Sequence, residues 1–249
     1  MVKGLDLSTY QTNIDYKGLK AKGIEFCILR CGYGKNITQK DDMFETHYAG
    51  CKNAGIKVGA YLYSYCTAVE NAELEAQNCL EFIKGKQFEL PIFYDIEEQR
   101  TAVLGRDNVT EIALRFCRKI EQAGFRAGVY ANLNYFKNYI NAQPIIDNGF
   151  KIWLAQWGVN KPTANFQVDL WQYTNNADNM HIDGDYLLNE SIMVVENGEN
   201  SAQKSAKELA VDVIYGEFGN GEERKNRLGN RYNEVQGIVN KLYKIIKGE

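Results

Sequence analysis

Leu90-Pro91-Ile92-Phe93-Tyr94-Asp95-Ile96-Glu97 is an apolar run that ends in carboxylates. Its aromatic and branched residues read as a buried strand, and residues two apart on a strand share a face, so Asp95 and Glu97 point the same way. Runs of the same character flank it: VKGLDLS, FCILRCGYG and KVGAYLYSY before, RAGVYANL, KIWLAQW and VDLWQYT after. Residues 42–54, 69–84 and 108–123 carry helical periodicity between the early runs, and Gly55, Gly85 and Gly124 stand just before the strands that follow. Repeated βα units imply a mostly parallel sheet with helices outside it. After RAGVYANLNYF the helical intervals shorten. With HIDGDYLL as an eighth strand, the expectation is an α/β fold, an irregular (β/α) TIM-like barrel with reduced helices in its last third. An open doubly wound sheet is the alternative.

Near residue 195 the pattern changes to the polar stretch ENGENSAQKS and then to helical periodicity. The organisation read from this is a barrel over 1–195, a linker over 196–204 and a three-helix bundle over 205–249. Ala206, Leu209, Ala210, Val213 and Ile214 make one apolar face, and Val235, Ile238, Val239, Leu242 and Ile246 another. Asn220 and Glu223 have the spacing of a capping box that opens the middle helix.

Composition excludes several classes. The formal charge is −3, with 20 basic and 25 acidic residues before position 201 and 9 basic and 7 acidic from there on, so no basic nucleic-acid footprint covers the larger part. No stretch approaches the ~18 apolar residues of a membrane span, and MVKGLDLSTYQ has no apolar run of a secretory leader, so no membrane insertion and synthesis without a signal peptide are expected. The six cysteines (Cys27, Cys31, Cys51, Cys66, Cys79, Cys117) fall inside apolar segments without a C-x-x-C pair and read as buried free thiols. With only His47 and His181 available, a histidine-rich zinc site is not expected, nor is a cofactor.

The chemistry lies at strand ends. In a parallel barrel the C-terminal strand ends form the active-site rim, and there Asp95 and Glu97 should repel, raising at least one pKa and leaving an acid beside a charge stabiliser. That division suits glycosidic hydrolysis. Asp6 closes the first strand in the same way, and Asp183 and Asp185 lie beyond the last, so acidic residues recur at the expected rim. Tyr33, Tyr61, Tyr63, Tyr65, Tyr94, Tyr130, Trp157, Trp171 and Tyr173 also fall at or near strand ends, where flat rings could stack on sugars, about half of them facing a groove.

The strings DLSTYQ (6–11), LRCGYG (29–34), AGIKVGAYLYSY (54–65), PIFYDIE (91–97), VYANLNYF (129–136), WLAQW (153–157) and WQYT (171–174) together resemble glycoside hydrolase family 25. Those enzymes are lysozymes (N-acetylmuramidases) that cut the β-1,4 bond between N-acetylmuramic acid and N-acetylglucosamine in bacterial peptidoglycan. The resemblance implies Glu97 as general acid, Asp95 as the group that assists at the anomeric centre or positions the N-acetyl group, Asp6 as an orienting carboxylate, and Tyr61 and Tyr63 as groove tyrosines. Tyr33, Trp157 and Asp183 join them as candidate substrate contacts. The family places a further aspartate in a segment like I-x-G-x-V-D-L-N, and this chain departs from it: ungapped alignment of residues 182–189 puts Leu187 there, which leaves Asp185 as the candidate fourth catalytic carboxylate and Asp183 as its reserve. The tail, ELAVDVIYGEFGNGEERKNRLGNRYNEVQGIVNKLY (208–243), is similar to the CW-seven cell-wall-binding repeat. It matches at Gly216, Gly219, Asn220, Gly221, Arg224, Arg227 and Leu228, and the arginines would donate to muropeptides. Both halves then point to peptidoglycan as partner and to a phage-released or extracellular protein acting on the wall. Two rivals share the residues: a divalent-cation enzyme built on Asp6, Asp95, Glu97 and Asp185, and a non-catalytic wall-binding protein on a decayed barrel.

Overall fold

The computed structural model describes residues 1–193, 206–216, 218–228 and 231–247. Two compact units are present, Met1–Val195 and Glu196–Glu249; the proposed linker, 196–204, lies outside the described residues. In the first unit β1 (Val2–Leu7), β2 (Ile24–Tyr33), β3 (Lys57–Tyr63), β4 (Ile92–Asp95), β5 (Ala127–Asn132), β6 (Lys151–Ala155), β7 (Leu170–Thr174) and β8 (Asp183–Leu187) form a closed barrel in sequence order. The open doubly wound alternative is thereby set aside. Helices α1 (Tyr16–Ala21), α2 (Phe44–Asn53), α3 (Asn71–Phe82), α4 (Gln99–Ala102) and α5 (Arg106–Gln122) cover the first half, while α6 (Leu133–Asn138) and α7 (Ala142–Asp147) are single short pieces. Helix α5 shows why the periodicity was legible: Val109, Ile112, Ala113, Phe116, Cys117 and Ile120 are buried on one stripe. Gly124, just past its end, takes φ 90°, a conformation that ends a helix without a Cβ penalty.

The closure differs from a regular barrel. Strand β8 runs antiparallel to both β1 and β7, with Asp183 opposite Asp6 and Leu187 opposite Val2. Only residues 175–182 separate β7 from β8, too few for the crossover of a dozen or more residues that a parallel return needs. Position 187 therefore sits at the far end from the rim. Leu187 packs with Phe26, Ile28, Phe93, Trp153 and Leu170 inside the barrel, so the departure from the resembled pattern supplies a packing residue away from the rim carboxylates.

Inward-facing side chains fill the barrel, and a second layer lies between the strands and the helices. Tyr94 faces that outer layer and stacks on Phe116 with centroids 4.0 Å apart. Trp171 and Tyr173 also turn outward, where both rings meet Tyr186. These three strand-end aromatics are packing residues. The six cysteines are free and buried.

In the second unit α8 (Ala206–Ile214), α9 (Gly221–Leu228) and α10 (Tyr232–Lys247) enclose Ala206, Ala210, Val213, Leu228, Val235 and Val239. Leu209, Ile214, Ile238 and Leu242 pack against them; the side chains of Ile246 and Glu223 lie outside the described residues. Arg224 donates from Nε and Nη2 to Gly219 O at 3.0 and 2.9 Å, from Nη2 to Asn220 Oδ1 at 2.8 Å and from Nη1 to Gln236 Oε1 at 3.1 Å. Its guanidinium holds the glycine turn together. Arg227 lies over the Phe218 ring.

Gly4 sets how closely the barrel wall approaches its filling. A Cβ there would lie 2.2 Å from the Phe26 ring, a contact no side chain tolerates without repacking. Gly4→Ala is expected to destabilise the first unit by roughly 1–3 kcal/mol. Urea unfolding followed by tryptophan fluorescence measures it cleanly, because Trp153, Trp157 and Trp171 are the only tryptophans and all lie in that unit.

Candidate active site

Strand alternation carries Asp6 (β1), Arg30 (β2), Tyr61 and Tyr63 (β3), Asp95 (β4), Tyr130 and Asn132 (β5), Gln172 (β7) and Asp183 (β8) to the barrel mouth. Glu97 follows two residues after Asp95, as the spacing predicts. Asp6 and Asp95 are 7% and 6% exposed and Asp185 is not exposed at all. Several carboxyls thus share a small, dry volume.

Gln172 organises one side of it. Its Nε2 donates to Asp6 Oδ2 at 2.9 Å and to Asp183 Oδ2 at 3.4 Å, while its Oε1 accepts from Tyr130 Oη and from Trp157 Nε1, each at 3.1 Å. On the other side Asn132 Nδ2 donates to Glu97 Oε2 at 3.3 Å, and Asn132 Oδ1 caps α6 by accepting from Tyr135 N at 2.9 Å. Tyr63 donates to Glu98 Oε1 at 2.9 Å. Asp185 lies one step deeper than Asp183: its Oδ1 accepts from Trp153 Nε1 at 2.8 Å and its Oδ2 is buried with no partner. Asp95 Oδ1 is the other buried carboxyl oxygen without a partner.

Burial and mutual repulsion push these acids upward. Burial comes first for Asp95, with the charges of Glu97 and Asp6 adding to it and Arg30 opposing. Burial also raises Glu97, against the Asn132 hydrogen bond. Asp6 rises from 3.8 to about 8, through burial and then the charge of Asp183. Asp183 rises through burial, and Asp185 through burial and then the charge of Asp6. A carboxyl with no solvent and a bare oxygen is favoured in its neutral form, so burial and the neighbouring charge of Asp6 favour the protonated form of Asp185.

The wall of the mouth is aromatic. Tyr61 and Tyr130 pack edge-on or tilted against Trp153. Tyr65 meets both Tyr33 and Tyr63, and Trp157 is half exposed. Of the residues singled out in the sequence, Asp6, Asp95, Glu97, Asp183, Tyr33, Tyr61, Tyr63 and Trp157 converge here; Asp185 sits beneath them; Arg224 and Arg227 belong to the other unit. Sequence reading passed over Gln172, Asn132, Trp153, Glu98 and Arg30, although WQYT and VYANLNYF contain the two amides. No group of three or more His, Cys, Asp or Glu among the described residues has the geometry of a metal site.

Residues 5–182 match the glycosyl hydrolases family 25 profile. The chain belongs to that family. Residues 207–243 match the CW_7 repeat. An autolytic lysozyme of Clostridium acetobutylicum is 26% identical over 191 residues, 76% of this chain and 55% of its own length. The lysozyme of Streptococcus phage Cp-7 is 30% identical over 184 residues, 71% of this chain and 52% of its own length. The chain spans about half the length of both relatives. Among solved structures, the CTP1L endolysin superposes with a TM-score of 0.67 at 26% identity, covering 76% of this chain and 67% of its own.

The raised acids fix the sign of the pH dependence of stability. A carboxyl whose pKa is higher in the fold than in the unfolded chain binds extra protons in the fold. Its contribution is full below the unfolded value and is lost as pH rises through the folded one. For Asp6 that window runs from 3.8 to about 8. The thermal midpoint of the first unit is expected to fall between about pH 5 and about pH 8. Asp185→Asn keeps the Trp153 contact without an ionisable group, so it should flatten that slope and melt no lower than the parent at the alkaline end; an unaltered slope would take Asp185 out of the titrating set.

Proposed function

We propose that this family 25 chain is a 1,4-β-N-acetylmuramidase that hydrolyses the N-acetylmuramic acid to N-acetylglucosamine bond of bacterial peptidoglycan, and that its CW_7 unit keeps it on the wall. The observation that carries the reading is the Asp95 and Glu97 pair at the mouth, both raised, Asp95 buried and Glu97 half-buried. Glu97 is the general acid. Its raised pKa keeps the proton to higher pH than an ordinary carboxyl would, and Asn132 holds the carboxyl in place. Asp95 offers a buried Oδ1 that lacks a donor, which the N–H of a 2-acetamido group can supply. So oriented, the acetamido carbonyl oxygen attacks the anomeric carbon as Glu97 protonates the departing oxygen; water then opens the ring intermediate, Glu97 takes its proton, and configuration is retained. Asp6 and Asp183, linked by the Gln172 amide, supply hydrogen-bonding groups and fixed dipoles on the facing side. Trapping a covalent glycosyl adduct on Asp95 would overturn the substrate-assisted route.

The CW_7 unit contributes by proximity: a weak site on a repetitive polymer raises the local concentration of the catalytic unit. Arg224 serves that role indirectly, by shaping the turn.

Reducing-end release from purified peptidoglycan, with mass analysis after borohydride reduction, tests the reading. The intact chain should give products ending in reduced N-acetylmuramic acid. Glu97→Gln should lower the rate about 100- to 10,000-fold with its fold intact, and wall binding without release by the parent would instead favour the non-catalytic wall protein. Asn132→Ala removes a donor that favours the Glu97 carboxylate, so the acid form should persist further and the alkaline limb of kcat/KM should move to higher pH.

A further inference from the structure

Arg30 lies on β2 at the barrel mouth, beside β3, whose other neighbour β4 carries Asp95, and the catalytic reading gives it no task. It follows Phe26 and Ile28 on the inward face of β2, opposite Tyr61 on β3. Nε donates to Asp41 Oδ2 at 2.7 Å. Asp41, whose side chain is not exposed, is itself fixed by accepting from Thr9 N at 3.0 Å and Met43 N at 2.9 Å. The Tyr10 and Tyr33 rings flank the guanidinium, with Cζ 5.1 and 6.0 Å from their centroids. One edge of the guanidinium is therefore clamped. Neither Nη meets a protein acceptor among the described residues, and neither is buried without a partner; the side chain keeps 12% exposure. A purely structural arginine at such a place would spend its fork on protein oxygens.

We propose that the open Nη edge of Arg30 reads the lactyl carbonyl of N-acetylmuramic acid, making it the residue that separates peptidoglycan from chitin-type glycans. The inference rests on the muramidase reading. If Asp95 engages the acetamido group at C2, the substituent next to it is the one at C3, and Arg30 on β2 is a donor that faces the same mouth across β3 from Asp95 on β4. In muramic acid C3 bears the lactyl ether; in N-acetylglucosamine it bears a hydroxyl, which gives a guanidinium no carbonyl to bind. Tyr10, 80% exposed beside the guanidinium, adds a flat face against which the lactyl methyl can pack.

Glycan affinity in the inactive Glu97→Gln background tests this without turnover. Tryptophan fluorescence is the readout, since it reports the first unit alone. The ligands are a tetrasaccharide of alternating N-acetylglucosamine and N-acetylmuramic acid whose lactyl carboxyls are capped as amides, and chitotetraose. The parent should prefer the lactyl-bearing glycan by about 30-fold, and Arg30→Met should reduce that preference to within about 3-fold. Chitotetraose affinity should be unchanged by Arg30→Met, which also shows that the variant is folded. Arg30→Lys, with a point charge in place of the fork, should recover only part of the preference. A parallel fall in both affinities, a preference that survives in Arg30→Met, or no preference in the parent would each overturn the proposal. Binding of neither glycan by the parent would instead count against the muramidase reading itself.

Discussion

Several carboxyl groups enclosed in one barrel mouth are the constraint on which the rest of this site depends. Such a set cannot all ionise together, because each charge would face both a low-dielectric wall and its neighbours. The barrel meets the constraint with neutral donors. Gln172 spans Asp6 and Asp183, Trp153 serves Asp185, and Asn132 serves Glu97. Each of these is itself held: Gln172 by Tyr130 and Trp157, Asn132 by the cap of α6, Trp153 by the rings around it. Amides and an indole favour the ionised form without cancelling its charge, so the negative charge left when one acid gives up its proton is kept at the mouth.

The antiparallel closing strand is what gathers the acids. A parallel β8 would place its residues beside β1 in the opposite vertical order, and the segment after Ile182 would climb toward the rim. Running downward, it sets Asp183 level with Asp6 and buries Asp185 beside Gly4, where the missing Cβ leaves room for the Phe26 ring. Strand direction, more than residue identity, decides which aspartate meets substrate and which remains a covered acid.

Much of this was legible in the chain. All eight strand runs and the three long helical intervals follow from periodicity, because a barrel strand covered on both faces must be almost continuously apolar and a covering helix must bury one stripe. The carboxyls at the ends of β1 and β4 were legible for the same reason: an acid that ends an apolar strand has the rim as its place. Depth along β8 was harder. The family pattern drew attention to Leu187, yet the short connection over 175–182 already implied a hairpin-like return, and with it a position 187 far from the rim. Gln172, Asn132 and Arg30 carried no periodic signal, since an amide or guanidinium inside a barrel is recognisable only by what surrounds it. Tyr94, Trp171 and Tyr173 failed in the other direction: alternation turns them outward, and their aromatic character describes packing.

Arg224 and Arg30 show why residue type alone does not assign a binding role. Both are arginines in segments the sequence marks for carbohydrate recognition. Nε and both Nη of Arg224 donate within its own unit, so removing it would open the turn before it could report on any ligand. Arg30 has one edge fixed by a buried aspartate and the other left at the mouth. A guanidinium is costly to orient and to desolvate, and the Asp41 contact meets that cost before substrate arrives, which is the condition under which a charged hydrogen bond adds to selectivity. The distinction lies in which donors are already spent, a property of the fold that no local sequence pattern records.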